Sequence, residues 1–225
     1  EYIVLPQDGA IDALPEAASY EQGVALVEGP MTALPFLRDR GGIQRGQHVL
    51  IIGASGSVGM AAVQLARHFG AEVTGVSSTR NLELVRSRGA DHVIDYTQAD
   101  FTAARDRYDI VFDVVGKSSF GAVKGALRDG GVYLDTYPSL GTVWHQLVTS
   151  RLGSKRAVFA ATGLRKPAEK RADLATIKGL FEAGELTPVI DRSYPMGQAV
   201  EAHAYVDTGH KVGNVILQMA GEGAA

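Results

Sequence analysis

The sequence predicts an α/β fold, a parallel doubly wound sheet with helices on both faces. Three observations carry that expectation. Apolar runs of strand length alternate with helical patterns from His48 to Ala161. The strand-like runs are nearly unbroken, as strands buried on both faces require. A glycine-rich turn, Gly53-Ala54-Ser55-Gly56-Ser57-Val58-Gly59, joins the first apolar run to a helical pattern. Strand, glycine turn and helix N-terminus in that order make a phosphate-binding device.

The elements follow in order. Tyr2–Leu5 reads as a short strand, followed by a turn at Asp8-Gly9 and a Pro/Ala-rich approach. Pro30 opens a helical pattern that runs on despite Pro35 and ends at Gly41-Gly42. Val49–Ile52 is the first strand of the sheet. Apolar residues at Val58, Ala61, Ala62, Leu65, Ala66 and Phe69 then keep the 3.6 period of a helix packed on a sheet, capped by Gly70. A strand at Val73–Val76 leads to a helix at Asn81–Arg88, with Thr79 as a possible cap and Gly89 at its close. Strands at His92–Asp95 and Ile110–Val115, a helix over Phe120–Leu127, and strands at Val132–Thr136 and Ala157–Ala161 complete a six-stranded sheet. Beyond Gly163 the composition shifts to a charged helix from about Ala168, a strand-like Pro188–Ile190, a helix near Gly197–Val206 and a closing strand Asn214–Gln218.

Composition excludes several function classes. At 225 residues and 45% apolar content, the chain can bury a full core. Its net charge of −3, from 22 basic and 25 acidic residues well mixed along the chain, offers no field for nucleic acid. With no cysteine there are no disulfides and no thiolate metal sites, and a cytoplasmic location is expected. No apolar run approaches the roughly 20 residues of a membrane span. The six histidines show no ligand-like spacing, so no metal is expected. A small molecule is the expected partner. The chain begins at Glu1, directly in a strand-like segment, and reads as a piece of something longer.

The end of the second strand decides which nucleotide the glycine turn would take. A dinucleotide fold that takes NAD places Asp or Glu about 20 residues after the glycines, on the ribose 2′-hydroxyl. Here that position falls in Val76-Ser77-Ser78-Thr79-Arg80, which has three hydroxyls and a guanidinium. That set suits a 2′-phosphate, because Arg offers charge-assisted hydrogen bonds and Ser adds neutral donors. NADP is therefore favoured over NAD, although the same four residues could also be a plain helix cap. The missing carboxylate also weakens an S-adenosylmethionine reading. Other chemistries fit worse. No tyrosine has lysine four residues on, Gly116-Lys117-Ser118 lacks the first P-loop glycine because position 111 is Val, and the glycine turn is not a G-x-S-x-G elbow.

In the frame G-x-G-x-x-G the first glycine is replaced by Ala54, ahead of Gly56 and Gly59. Together with EGPMTALPFL, the block from GASGSVGM to ADHVIDY, YDIVFDVVGKSSF and GHKVGNVILQM, it resembles the medium-chain dehydrogenase/reductase superfamily. The zinc-free, NADPH-dependent quinone oxidoreductase and enoyl reductase branch is the most similar, and it carries this form of the glycine motif. The resemblance implies a Rossmann domain at 26–162, a remnant of a GroES-like substrate domain with its connection at 1–25, and a completing segment at 163–225. It implies NADP contacts from Ser55, Gly56, Ser57 and Val58 at the pyrophosphate, and from Ser77, Ser78 and Arg80 at the 2′-phosphate, with Tyr96 beside it. Val115 and Gly116 would border the adenosine ribose. Thr32, Thr136, Tyr137, Phe159, Ala160 and Ala161 would line the nicotinamide. Asn214 stands where the family's closing G-K-V-V-L has lysine, with Lys211 nearby. The resemblance further implies hydride transfer to a quinone, enone or related activated acceptor, and a homodimer through the sheet edge near Arg156–Ala161. No residue presents itself as the catalytic acid, Tyr137 being the best placed. A different class stays open, namely a non-catalytic NADPH-binding module or excised fragment without turnover.

Overall fold

The computed structural model describes residues 4–137, 140–149 and 153–219. Six strands form one parallel sheet: β1 (His48–Ile52), β2 (Glu72–Ser77), β3 (His92–Asp95), β4 (Tyr108–Asp113), β5 (Leu127–Asp135) and β6 (Arg156–Phe159). Their spatial order is β3-β2-β1-β4-β5-β6, the doubly wound arrangement. Val49, Leu50, Ile51 and Ile52 are all buried, as a central strand covered on both faces should be. One face packs on the first two helices, through Leu34, Leu37, Met60, Val63 and Leu65 against Val49, Ile51 and Phe112. The other buries Leu50, Val111, Tyr108, Phe120 and Tyr133.

Helix α1 (Tyr20–Pro35) begins ten residues before the expected start at Pro30. Ser19 and Gln22 form a capping box, an S-x-x-Q signal that outweighs the preference of proline for a first helical turn. Pro30 and Pro35 both lie inside the helix. Phe36–Arg40 then continues as a π-helical turn closed by the Gly41 N–H on Phe36 O, 2.8 Å. Tyr2 and Ile3 of the expected opening strand lie outside the described residues, and Val4 and Leu5 form no strand.

Helices α2 (Ser57–His68) and α3 (Leu82–Ser87) follow β1 and β2, with Gly70 and Gly89 at positive φ ending them as anticipated. Two expected elements change length. Helix α4 is only Phe120–Val123, and β5 already starts at Leu127, whose buried side chain belongs to the sheet. Helix α5 (Leu140–Thr149) has no counterpart in the sequence reading, although Leu140, Val143, Trp144 and Leu147 recur at helical spacing; this apolar stripe is exposed while Thr142 is buried. Helix α6 (Pro167–Glu182) packs on α1 and is anchored by Asp173, which is fully buried between Arg38, at 2.8 Å, and Arg165. Arg38 also holds the Asp39 carboxyl below its usual range.

The last segment forms its own parallel pair, β7 (Ile190–Pro195) and β8 (Asn214–Gln218), joined through α7 (Ala199–Asp207). The strand expected at Pro188–Ile190 therefore starts two residues later and runs to Pro195. What matters for the site is where this unit touches. Gly213 bridges to Gly56, so the C-terminal segment closes onto the glycine turn.

Candidate functional site

The strand order reverses between β1 and β4, the position at which a doubly wound sheet takes ligands in a crevice outside the carboxyl ends of its strands. The glycine turn lies at that position. Gly53 has φ +85°, and a Cβ there would stand 2.5 Å from Val115 Cγ1. Ala54 is fully buried. Its methyl group faces Gly75 of β2, where a Cβ would come within 3.0 Å of Ala54 Cβ. The missing motif glycine is thus offset by a glycine on the neighbouring strand. At Gly59 a Cβ would lie 2.2 Å from Gly53 O, so α2 rests directly on the turn. At Gly56 the only neighbour would be Gly53 O at 3.7 Å.

The first backbone bond of α2 runs from Met60 N–H to Gly56 O, 2.8 Å. Helix geometry leaves the N–H groups of Ser57, Val58 and Gly59 without intrahelical acceptors, at the positive end of the dipole. The Ser57 side chain is committed elsewhere. Its hydroxyl meets Glu28 Oε2 and lies 2.8 Å from Asn214 Oδ1, while Asn214 Nδ2 donates to Val189 O at 2.9 Å. Ser57 and Asn214 both come to the turn, but their side chains face each other, so Ser57 has its N–H to offer there. Gly213 N–H donates to Ser55 O, 2.8 Å, and Lys211 Nζ folds back onto Gly213 O.

At the end of β2 the Ser77 hydroxyl is buried without a hydrogen-bond partner. Asn81 Nδ2 ties Ser55 Oγ, at 3.2 Å, to Ser78 Oγ, at 3.4 Å, and so fixes the two loops together. Thr79 does not cap the helix: its hydroxyl donates to Asp95 Oδ2 at 2.5 Å. Asp95 stands outside the stretch that follows the glycines by about 20 residues, and parallel pairing of β2 with β3 sets it opposite Ser77. Hydrogen bonds from Thr79, and then from Thr97 and Gln98, hold its carboxyl below the usual range. Arg80 is exposed, and its Nη2 donates to His210 O at 2.7 Å. The Tyr96 ring is exposed beside this loop, with its N–H on Ser77 O.

On the β4–β6 side, a fully buried Asp113 organises the next loop. Its Oδ1 accepts from Val115 N–H (3.0 Å) and Gly116 N–H (2.8 Å), and its Oδ2 from Ser118 N–H (2.8 Å) and the Tyr133 hydroxyl (3.3 Å). Burial, and then the Asp113 charge, push the Tyr133 phenol far up, so it stays a donor. Asp135 does the same one strand over, accepting from Tyr137 N–H and the Thr142 hydroxyl. Thr136 is half-buried, with its hydroxyl toward Asp113 O, and Tyr137 is exposed beside Gly116. Phe159 N–H donates to Gln146 Oε1, 2.7 Å. Ala160 and Ala161 share a 460 Å³ cavity with Pro35 and Leu164, and Thr32 lies one turn before Pro35 on α1.

The residues expected to bind a cofactor therefore lie along the carboxyl ends of β1 to β6, with Thr32 on the adjoining helix and Asn214 at the start of β8, against Ser57. An open glycine, three N–H groups without helix partners and a buried, unpartnered serine hydroxyl are what an anionic dinucleotide would satisfy.

Comparison with known proteins agrees with this geometry. The family model described as zinc-binding dehydrogenase matches residues 88–217. The 2-methylene-furan-3-one reductase of Solanum lycopersicum is 33% identical over 207 residues, which are 90% of this chain and 48% of that protein. The chloroplastic NADPH-dependent alkenal/one oxidoreductase of Arabidopsis thaliana is 31% identical over 177 residues, 76% of this chain and 40% of that protein. Among solved structures, the quinone oxidoreductase from Coxiella burnetii superposes with a TM-score of 0.78 at 25% identity, over 91% of this chain and 62% of that one. The chain thus spans about half the length of these two curated relatives.

Proposed function

The chain belongs to the zinc-binding dehydrogenase family of the medium-chain dehydrogenase/reductase superfamily, and from that premise we propose that it is the cofactor-binding region of an NADPH-dependent oxidoreductase acting on a quinone, enone or related activated acceptor. The supporting observations are the open space above Gly56 at the start of α2 and the unpartnered Ser77 hydroxyl at the end of β2. When bound, the nicotinamide supplies the hydride. The N–H groups opening α2 hold the pyrophosphate. Ser77, Ser78 and Arg80 take the 2′-phosphate, with Tyr96 flanking it. Val115, on the loop that Asp113 fixes, borders the ribose, and Thr32, Thr136, Phe159 and Ala160 wall the nicotinamide. Residues 163–225 close the crevice from one side, 26–162 form the binding domain, and α1 carries the chain out of 1–25. Among the described residues, no three His, Asp or Glu side chains could hold a metal ion, so these residues do not fit a zinc site.

The test is titration of the chain with NADPH and with NADH, followed by nicotinamide fluorescence. NADPH is expected to bind at least about tenfold more tightly, the worth of one charge-assisted hydrogen bond. Equal or tighter NADH binding removes the NADPH assignment, and failure of both to bind removes the whole reading. This chain alone is expected to be inactive on either reading, so the second measurement is made on the full-length protein that carries it. Turnover of an alkenal or quinone there supports the oxidoreductase, and NADPH binding without turnover selects a non-catalytic NADPH module instead. A cytoplasmic site of action belongs to the same proposal; no described helix is long and apolar enough to cross a membrane.

The proposal includes a homodimer at the β6 edge near Arg156–Ala161. The Ala157 and Phe159 N–H groups already donate to Thr149 and Gln146 of α5, so β6 does not present a bare ladder. The contact is expected through side chains, with exposed Leu140, Val143 and Trp144 of α5 supplying apolar area. Light scattering should give twice the monomer mass, and Trp144→Lys should halve it without lowering Tm. A monomeric wild-type chain removes this part.

A further inference from the structure

Helices α2 and α3 end at Gly70 and Gly89, just before the amino ends of β2 and β3 and at the opposite edge of the sheet from the glycine turn. Their last turns and the Gly184–Thr187 turn after α6 enclose a cavity of 470 Å³. Two guanidiniums line it, Arg67 from the last turn of α2 and Arg88 just past α3. Among the described residues neither makes a hydrogen bond or an ion pair, and Arg88 Nε is buried without a partner. Arg67 is laid over the neighbouring helix end, since a Cβ at Gly89 would stand 2.5 Å from Arg67 Cδ and 3.5 Å from its Nε. Two like charges are held at one cavity, and a buried charged donor without an acceptor is costly.

The remaining walls are polar and tied in place. Gln64 joins α2 to Thr187 in both directions: its Nε2 donates to Thr187 O at 3.1 Å, and its Oε1 accepts from Thr187 N–H at 2.8 Å. Glu185 is the acid of the lining, and its Oε2 is engaged by His68 Nδ1 at 2.5 Å. Two guanidiniums against one carboxylate leave the cavity positive even with His68 neutral. No apolar side chain lines it among the described residues, so a ligand there is polar throughout. Cations in the last turn of a helix also answer the negative end of its dipole, which accounts for the sign of these residues. It does not account for a buried Nε, because a side chain serving only the dipole can turn its head to the last carbonyls or to water.

We propose that this cavity binds a phosphate group, free or carried on a small hydrophilic molecule. A tetrahedral phosphate keeps oxygens for both guanidiniums at once, whereas a planar carboxylate is filled by one bidentate arginine. The site is separate from the cofactor's and does not rest on that reading: about 15 Å of helix lies between the N–H groups that open α2 and Arg67 in its last turn.

The experiment is titration of the isotope-labelled 225-residue chain with inorganic phosphate and with glycerol 3-phosphate at constant ionic strength, followed by backbone amide chemical shifts. Saturable shifts are expected at Gly89, Gly184 and Thr187, with the tighter of the two ligands telling a free phosphate from an esterified one. Arg67→Gln and Arg88→Gln should each weaken that binding about tenfold, the loss of one charge-assisted hydrogen bond. Shifts confined to Gly56–Gly59 would put the phosphate on the glycine turn and overturn the inference. So would the absence of saturable shifts with either ligand, or binding at these three amides that survives both substitutions. If Arg88→Gln does not fold, Arg67→Gln decides alone, because Arg67 is exposed.

Discussion

Gly59→Ala is expected to cost the chain about 3 kcal/mol of stability, at the upper end of the range for overpacking, and nearly all of its nucleotide binding. The new methyl carbon would sit 2.2 Å from Gly53 O, 2.8 Å from Ala54 Cα and 2.9 Å from Ala54 C. All three are backbone atoms of one turn, so no flexible side chain can yield. Either α2 lifts from the turn or the turn shifts, and each displaces the N–H groups that open the helix. Gly56→Ala is the matched control. Its methyl group meets no protein atom closer than Gly53 O at 3.7 Å and projects into open space. Tm should therefore hold while NADPH affinity falls at least about tenfold, if the space above Gly56 is where the pyrophosphate sits. Urea unfolding and fluorescence titration of both variants separate the two roles. A Gly56→Ala chain that binds NADPH normally would move the phosphate site elsewhere, and a Gly59→Ala chain of wild-type stability would contradict the packing itself.

Much of this site was legible because its chemistry is local. The order of apolar run, glycine turn and helical period fixes β1, the cradle and α2 within one stretch of chain, and the closing glycines Gly70 and Gly89 fall where their positive φ is needed. The Ala54 departure could be explained only in space, because the glycine that offsets it, Gly75, is on the next strand. The same limit hid Asp95, which reaches Thr79 through parallel register and not through spacing. It also hid the Ser57–Asn214 contact across 157 positions. Element lengths failed where two local signals competed. Pro30 marks a first helical turn while Ser19 and Gln22 form a capping box ten residues earlier, and the helical pattern after Phe120 runs into residues that the sheet claims for β5. Helix α5 is legible in the helical spacing of Leu140, Val143, Trp144 and Leu147, which the sequence reading leaves unassigned; that this stripe is exposed and not packed on the sheet is visible only in space.

Arg80→Ala should abolish the preference for NADPH over NADH, by a factor of about 10 to 100, the worth of one or two charge-assisted hydrogen bonds. Arg80 is the cation nearest in sequence to Ser77 and Ser78, and it is already oriented by a hydrogen bond to His210 O, 2.7 Å. That bond ties the end of β2 to the turn before β8, so the guanidinium is held beside the crevice before any ligand arrives, which lowers the ordering cost of binding. The Asp95 carboxyl, across the sheet from Ser77, would repel a 2′-phosphate. Its donors Thr79, Thr97 and Gln98 already engage that charge, which leaves Arg80 to face the phosphate. The loss should appear almost wholly in NADPH. NADH carries no 2′-phosphate and should bind the variant as it binds wild type, and stability should change by less than about 0.5 kcal/mol, because the side chain is exposed. Parallel titrations with the two reduced cofactors and a urea melt measure all three quantities. An Arg80→Ala chain that keeps its NADPH preference would assign the discrimination to the serine hydroxyls alone and remove Arg80 from the site.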